Sequence, residues 1–289
     1  MKILRTHLPH VLICVLLISA GAISYVASGD VRPNTILSVA FLDIGQGDAI
    51  YIEAPNGRQM LIDGGANTKV LEALGEVMPF GDRSIDVVLA THTDADHIGG
   101  LPAVLENYDI GYVIENGGTS KTKIYQAFQK AIKEEGSEHT IARQGMKVLL
   151  DEEKNISFDI IFPDRDISSM ESNDGSIVGK LVYGTQSFML TGDATKYTEM
   201  LILRNETTET LHSTILKLGH HGSHTSSTES WLRAVSSEVA IISAGKNNRY
   251  GHPHEDVLAR LRALSIPYRA TYDEGTIIFK TDGVTMSTK

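Results

Sequence analysis

The chain has 289 residues, 42% of them hydrophobic and 21% charged, which is enough for one large domain or two small ones with a substantial core. Its formal net charge of -10 at pH 7 argues against broad electrostatic binding of a nucleic-acid backbone, because domains that bind this way usually carry a basic face. Cys14 is the only cysteine, so an intrachain disulfide is excluded, as is a cysteine ligand in the globular part.

The N-terminus predicts an export segment over residues 1–30. Lys2 and Arg5 precede an uncharged apolar run over residues 11–27, and a polar segment follows it. The run is long for the core of a signal peptide and short for a membrane span, so a cleaved signal and an uncleaved anchor both remain open. The preceding positive charges favour an N-terminus that stays inside, with the rest of the chain exported and either secreted or anchored at the membrane.

From residue 36 onward, apolar runs alternate with helical patterns and no linker rich in Pro, Gly or Ser interrupts them. We therefore predict one domain over residues 36–289. Strands are predicted at 36–42, 49–53, 60–62, 87–90, 156–160, 177–183, 188–190, 215–218 and 239–242. Helices are predicted near His97, at 121–135, near Ser227 with Ser226 and Glu229 as a capping box, and at 255–264 with Pro253 at its start.

The segment 91–100 is the strongest signal in the chain. It places His92, Asp94, Asp96 and His97 within six positions, directly after the apolar run 87–90. Imidazole nitrogen and carboxylate oxygen are common ligands of divalent cations, and four of them on one tight loop can hold two ions. A helix cap would account for one of the aspartates but not for the other or for the histidines.

Three further polar loops follow predicted strands, where layered α/β folds display their functional residues. Asp193 follows the apolar run 188–190, and a helix-capping role is an equally good interpretation of it. His220, His221 and His224 fall within five positions after the next strand, which is unusual for a solvated loop. The fourth loop, 243–254, combines cations, amides and histidines before a helix start, an arrangement suited to an anion such as phosphate.

These motifs resemble the metallo-β-lactamase superfamily and, within it, the soluble domain of the ComEC competence proteins. The resemblance rests on seven stretches in the same order along the chain: 42–49, 61–65, 91–100, 172–174, 190–194, 216–223 and 245–254. It implies an α/β fold, specifically an αββα sandwich, with a dinuclear metal site at the rim between the sheets. It also implies that the protein is a hydrolase.

Carried over residue by residue, the resemblance assigns one ion to His92 and Asp94 and the other to Asp96 and His97. It makes Asp193 the bridging ligand. A further ligand comes from His220 or His221, of which we favour His221. Asp94 departs from the commoner superfamily pattern, which has a histidine there, and this harder ligand makes manganese a rival to zinc.

The implied reaction is attack of an activated water on phosphorus, with Asp96 orienting the water. In the fourth loop, Lys246, Asn248 or His252 would stabilise the non-bridging oxygens, and His252 or His254 would protonate the departing oxygen. Asp48 and Asp63 are expected either to hold ligand histidines or simply to form turns.

The leading hypothesis is a phosphodiesterase or nuclease that acts on DNA with two divalent ions, zinc or manganese. A second is a hydrolase of another small ester, such as a small phosphodiester or a lactone. A third, from a different functional class, is a secreted metal-binding module without catalytic activity.

Overall fold

The computed structural model describes residues 35–288, which form two β-sheets packed face to face with helices on both outer surfaces. Within these residues the first sheet has eight strands and the second has seven. The predicted export segment, residues 1–30, lies outside the described residues. Among the described residues, no helix is both long enough and apolar enough to cross a membrane.

The strands of the first sheet are β1 Leu37–Phe41, β2 Ile50–Glu53, β3 Gln59–Ile62, β4 Ser84–Ala90, β5 Asp109–Glu115, β6 Glu138–Ile141, β14 Ile277–Thr281 and β15 Met286–Thr288. Those of the second are β7 Lys147–Asp151, β8 Ile156–Phe162, β9 Val178–Tyr183, β10 Gln186–Leu190, β11 Ile215–Lys217, β12 Val239–Ile242 and β13 Tyr268–Ala270. The first sheet has the order β15-β14-β1-β2-β3-β4-β5-β6 and the second β13-β12-β11-β10-β9-β8-β7.

The helices are α1 Lys69–Val77, α2 Ala95–Ile98, α3 Leu101–Asn107, α4 Lys123–Glu135, α5 Lys196–Asn205, α6 Thr208–Leu211, α7 Glu229–Val235, α8 Glu255–Ala263 and α9 Thr271–Glu274. Short 3-10 turns lie at Asn173–Gly175 and Gly219–Gly222.

Alternating burial along the strands explains the layers. On β1, Val39 and Phe41 face the core between the two sheets, whereas Ala40 faces the helices that cover the first sheet. The second sheet is covered in the same way, with Leu216 packed in the cluster that contains Trp231 of α7. Because successive side chains of a strand point to opposite faces, a strand buried on both sides reads as a continuous apolar run. The predicted αββα sandwich is therefore confirmed.

Two details of the predicted helix starts are wrong. Helix α7 is capped by Thr228, whose hydroxyl accepts from the backbone N–H of Trp231 at 3.3 Å, and not by Ser226. The Ser226 hydroxyl instead donates to the carbonyl of Gly219, at 2.6 Å. Helix α8 begins at Glu255, after His254 in the cap position, so Pro253 lies outside the helix.

Candidate metal centre

The strands deliver the predicted ligands to one rim of the sandwich. His92 follows β4 in the first sheet, Asp193 follows β10 and His221 follows β11 in the second. Strands β10, β11 and β12 run parallel, so the loops that follow them leave from the same edge of their sheet. Side chains far apart in sequence therefore meet where the rims of the two sheets approach each other.

The inner part of the site consists of His97, His221, Asp193 and Asp96. The Nε2 atom of His97 lies 3.1 Å from Asp193 Oδ1 and 3.3 Å from His221 Nε2. His221 Nε2 also lies 3.4 Å from Asp193 Oδ2 and 3.4 Å from Asp96 Oδ2. Donors bound about 2.0–2.1 Å from a tetrahedral ion stand roughly 3.3 Å apart, so these separations fit a divalent ion among the four side chains.

The hydrogen bonds of two histidines engage their Nδ1 atoms and leave their Nε2 atoms turned toward this point. His97 Nδ1 donates to Asp63 Oδ2 at 2.7 Å, and His221 Nδ1 donates to the carbonyl of Ser243 at 2.9 Å. In a neutral imidazole the other nitrogen is then the acceptor. A carboxylate or carbonyl behind a histidine is the usual arrangement for a metal ligand.

His92 is also oriented by Asp63, but through the hydroxyl of Thr91. The Thr91 hydroxyl donates to Asp63 Oδ2 at 2.7 Å, so its oxygen accepts from His92 Nδ1 at 3.0 Å. Burial, reinforced by the nearby His97, lowers the pKa of His92 to about 4, and the ring is therefore neutral at pH 7. Its buried Nε2 has no hydrogen-bond partner within residues 35–288 and lies 3.8 Å from Asp94 Oδ2. An uncompensated buried acceptor of this kind fits a ligand of a cation.

The predicted contacts of Asp63 and Asp48 with the histidines are present. Asp48 Oδ1 lies 3.4 Å from His221 Nδ1, and Asp48 Oδ2 lies 3.8 Å from His97 Nδ1. Asp48, His97, Asp193 and His221 each place one donor atom within 4.8 Å of the others. Asp48 nevertheless stands behind the imidazoles, on the Nδ1 side, so we assign it to their support and not to the cation position.

The electrostatics show how strongly the carboxylates attract positive charge. Burial would lower the pKa of His97 and His221, but Asp193 holds both well above the usual value. Burial would raise the pKa of Asp193, but the two imidazoles hold it well below the usual range. In the metal-free protein, these histidines therefore carry protons whose positive charge offsets the negative charge of the carboxylates. A bound cation would neutralise the same negative charge.

Backbone conformation is specialised at this rim. His220 and His221 have φ values of 48° and 55°, the left-handed region that non-glycine residues seldom adopt. A strained conformation of this kind persists only where the surrounding structure enforces it, and it is common at functional sites. At Gly47, with φ of +124°, a Cβ atom would stand 2.1 Å from the carbonyl oxygen of Asp96. Only glycine lets the Asp48 loop approach Asp96 this closely.

His220 lies beside the inner cluster. Its Nε2 is 3.7 Å from Asp193 Oδ2, and its Nδ1 is 2.9 Å from the hydroxyl of Thr225. Asn173 lies 3.4 Å from the same ring, in the interval where the commoner family pattern has a histidine. The structure thus brings both His220 and His221 to Asp193, with His221 the more deeply buried of the two. The alternative role of Asp193 as a helix cap is wrong, because Thr195 caps α5.

The fourth loop approaches the cluster through His252, whose ring centroid is 5.3 Å from that of His220 and 6.1 Å from that of His221. Burial, reinforced by the neighbouring imidazoles, lowers the pKa of His252 to about 4. His252 is therefore neutral near pH 7 in the metal-free protein. It is then suited to hydrogen bonding with a substrate oxygen and not to acting as a cationic acid.

The other predicted residues of this loop, Lys246, His254 and Asn248, differ in whether their polar atoms already form hydrogen bonds. Lys246 is exposed, and His254 accepts a hydrogen bond at Nδ1 from the backbone N–H of His224, at 3.1 Å. The Asn248 amide is already committed to its own loop, since it donates to the carbonyls of Gly245 and His252. Its oxygen accepts from the backbone N–H of His252 at 3.0 Å. Asn248 therefore shapes the loop, contrary to the predicted role as a free donor to phosphate.

Sequence reasoning missed Lys217. It is fully buried, forms an ion pair with Asp48, and donates to the carbonyl of Gly192 at 2.9 Å. A lysine within the apolar run 215–218, shortly before two histidines, was the available signal. Buried lysines are rare unless they are paired.

Comparison with known proteins agrees with this architecture. The family model described as the metallo-beta-lactamase superfamily matches residues 42–246. The chain belongs to this superfamily. It is 33% identical to ComE operon protein 3 of Bacillus subtilis over 84% of this chain and 33% of that protein. It is 32% identical to competence protein ComA of Neisseria gonorrhoeae over 91% of this chain and 35% of that protein.

This chain therefore spans about a third of the length of these two relatives. Among solved structures it is similar to the metallo-beta-lactamase fold protein YhfI of Bacillus subtilis. That similarity has a TM-score of 0.56 and 11% identity, and it covers 85% of this chain and 99% of the other. At this level of identity the match concerns the fold alone. Together with the buried Asp and His cluster, membership of the superfamily identifies a hydrolase fold with a candidate divalent-metal site.

Proposed function

We propose that the protein is a phosphodiesterase that cleaves DNA with two divalent ions, zinc or manganese. The observation that carries this proposal is the inner cluster of His97, His221, Asp193 and Asp96, whose donor atoms are spaced as ligands of one ion. The ring centroid of His92 lies 4.1 Å from that of His97, and we assign His92 and Asp94 to a second ion. Asp193 is assigned to both ions, as the resemblance to the superfamily implies.

Divalent ions bound here would act as Lewis acids and generate a nucleophile from water near neutral pH. The side chains of the chain itself have separate tasks. Asp96, which is partly exposed, is placed to accept a hydrogen bond from the attacking water and so to orient it. His252 donates a hydrogen bond to an oxygen of the substrate, and Lys246 and His254 supply further donors from the same loop.

DNA is the preferred substrate for two reasons. A relative that is 32% identical is named as a competence protein, and the loop that follows β12 presents cationic and aromatic groups at the rim. The Arg249 guanidinium lies 4.8 Å from the centre of the Tyr250 ring, which is 46% exposed and stacked on His252. Exposed aromatic rings beside cations stack on unpaired bases without regard to sequence. The cations of this loop, Lys246 and Arg249, locally offset the net negative charge of the chain.

The direct test is incubation of the purified protein with single-stranded and double-stranded DNA in the presence of Mn²⁺ or Zn²⁺. We expect metal-dependent cleavage that disappears in the His92→Ala variant, since His92 Nε2 is a buried donor at the second cation position. Equal cleavage by the two proteins would identify a contaminating nuclease and defeat the proposal.

Replacement of Tyr250 is expected to weaken substrate binding. Stacking of one base on an aromatic side chain contributes about 1–3 kcal/mol, so Tyr250→Ala should raise KM for single-stranded DNA about 5- to 150-fold and leave kcat nearly unchanged. Tyr268→Ala is the matched control, because Tyr268 is an exposed tyrosine at the start of β13, away from the rim. Equal KM values for the two variants would remove Tyr250 from the substrate path.

A small phosphodiester is the second candidate substrate. An open pocket of about 410 Å³ adjoins the rim and is lined by Lys246, Asn247, His252, Tyr272 and other residues of this region. It has room for a compact anion. Turnover of bis-p-nitrophenyl phosphate without any cleavage of DNA would favour this candidate over DNA.

A further inference from the structure

Lys217 occupies an unusual position beneath the candidate centre. Its side chain is 0% exposed, and its ammonium group forms an ion pair with Asp48 Oδ2. The same nitrogen donates to the carbonyl oxygen of Gly192 at 2.9 Å and lies 3.9 Å from Asp193 Oδ1. A buried ammonium loses its hydration and is tolerated only where carboxylates and carbonyls replace the water.

The partners of Lys217 come from both halves of the fold. Lys217 lies on β11 of the second sheet, whereas Asp48 lies between β1 and β2 of the first. Gly192 immediately precedes Asp193, and Asp48 Oδ1 stands 3.4 Å from His221 Nδ1. The ammonium therefore contacts the peptide that carries one predicted ligand and the carboxylate that supports another.

We propose that Lys217 is a positioning residue of the metal centre: its buried contacts with Gly192 and Asp48 hold Asp193 and His221 in the geometry that accepts a divalent ion. The inference rests on the proposed metal-dependent function and adds to it a residue that touches neither ion nor substrate. Ligands that are fixed in advance lose less conformational freedom when the ion binds, so affinity depends on the groups that support them.

The direction in which metal affinity changes when Lys217 is replaced distinguishes a positioning role from a purely electrostatic one. An ammonium 3.9 Å from a ligand carboxylate repels an incoming cation, so through-space electrostatics alone predicts tighter metal binding when Lys217 is made neutral. Positioning predicts the opposite, because Asp193 and Asp48 lose the contact that holds them. Metal affinity therefore distinguishes the two roles without any measurement of activity.

The experiment is titration of the metal-free full chain with Co²⁺, followed by the visible absorption of the bound ion and by thermal unfolding. Lys217→Met keeps the unbranched stem and removes the charge. Lys180→Met is the matched control, since Lys180 lies on β9 of the same sheet and donates to two backbone carbonyls away from the centre. The double variant Lys217→Met/Asp48→Asn also removes the carboxylate that would otherwise be buried without its partner.

We expect Lys217→Met to bind Co²⁺ at least about tenfold more weakly than the wild type, with an altered absorption band, while Lys180→Met binds normally. The double variant should regain thermal stability but not affinity, and it decides the matter if the single variant does not fold. Unchanged or tighter binding by Lys217→Met, or wild-type affinity in the folded double variant, would overturn the positioning role alone. Absence of Co²⁺ binding by the wild type would instead overturn the proposed function.

Discussion

The variant His97→Ala is expected to lose divalent-metal binding at the inner position and to reduce phosphodiester hydrolysis by about a thousandfold or more. The Nε2 atom of His97 contacts both Asp193 and His221, so its removal takes one donor from the middle of the cluster. A loss of this size corresponds to roughly 4 kcal/mol of transition-state stabilisation, within the several kcal/mol that a catalytic metal supplies. Metal content by elemental analysis and the rate of DNA cleavage in Mn²⁺ measure the two effects.

His212→Ala is the matched control for this measurement. His212 is exposed and precedes β11, whereas the candidate ligand His221 follows the opposite end of that strand. It should retain wild-type metal content and activity. Full metal content and full activity in a folded His97→Ala protein would show that the cluster is not the catalytic centre.

The placement of the site was predictable because it depends on topology. Apolar runs buried on both faces predict central strands of a covered sheet, and the ends of neighbouring parallel strands bring the following loops to one edge. Asp193 and His221, which follow the neighbouring parallel strands β10 and β11, could therefore be placed at one edge from the sequence pattern. The meeting of His97 with Asp193, which follow strands of different sheets, was implied only by the resemblance to the superfamily.

The contacts made by Lys217 and Asn248 could not be predicted in the same way. A lysine within an apolar run is compatible with a strand edge, and only the folded structure shows that Asp48 of the other sheet reaches it. The amide of Asn248 matches an anion site by composition, but the turn of its own backbone uses both of its polar atoms. Residue type predicts which chemistry is available, whereas tertiary contacts decide whether the group is free to perform it.

The start of helix α7 is another case in which a tertiary contact overrides a local sequence pattern. Ser226 and Glu229 have the spacing of a capping box, yet the hydroxyl of Ser226 is used to satisfy the carbonyl of Gly219 in the histidine loop. Thr228, two residues later, takes over the cap. A local sequence pattern therefore predicts the wrong cap when the side chain it relies on forms a hydrogen bond with another part of the fold.

The variant Asp63→Asn is expected to weaken metal binding about 10- to 100-fold with little change in the shape of the site. Asp63 accepts hydrogen bonds from the Thr91 backbone, the Thr91 hydroxyl and His97 Nδ1, at 2.7 to 2.8 Å. Its φ of 60° suits asparagine as well as aspartate, so the backbone gains no strain. Metal affinity by Co²⁺ or Mn²⁺ titration is the measurement.

The reason lies in the tautomer of His97. If the amide nitrogen introduced by this substitution took the place of Oδ2, it would donate to His97 Nδ1, and the ring proton would move to Nε2. That proton would face Asp193 and occupy the position of the metal. If the new amide were turned the other way, its nitrogen would face the backbone N–H of Thr91, and a buried donor would lose its acceptor at a cost of about 1–3 kcal/mol of stability.

Asp151→Asn separates this effect from a general loss of a buried carboxylate. Asp151 is also buried, accepts from the backbone N–H of Lys154 at 3.1 Å, and lies on β7 at the edge of the second sheet. It should lose stability without losing metal affinity. If the Asp63 variant behaves in the same way, Asp63 serves only to hold the loop after β4, and the orientation of His97 must come from the packing of its ring against its neighbours.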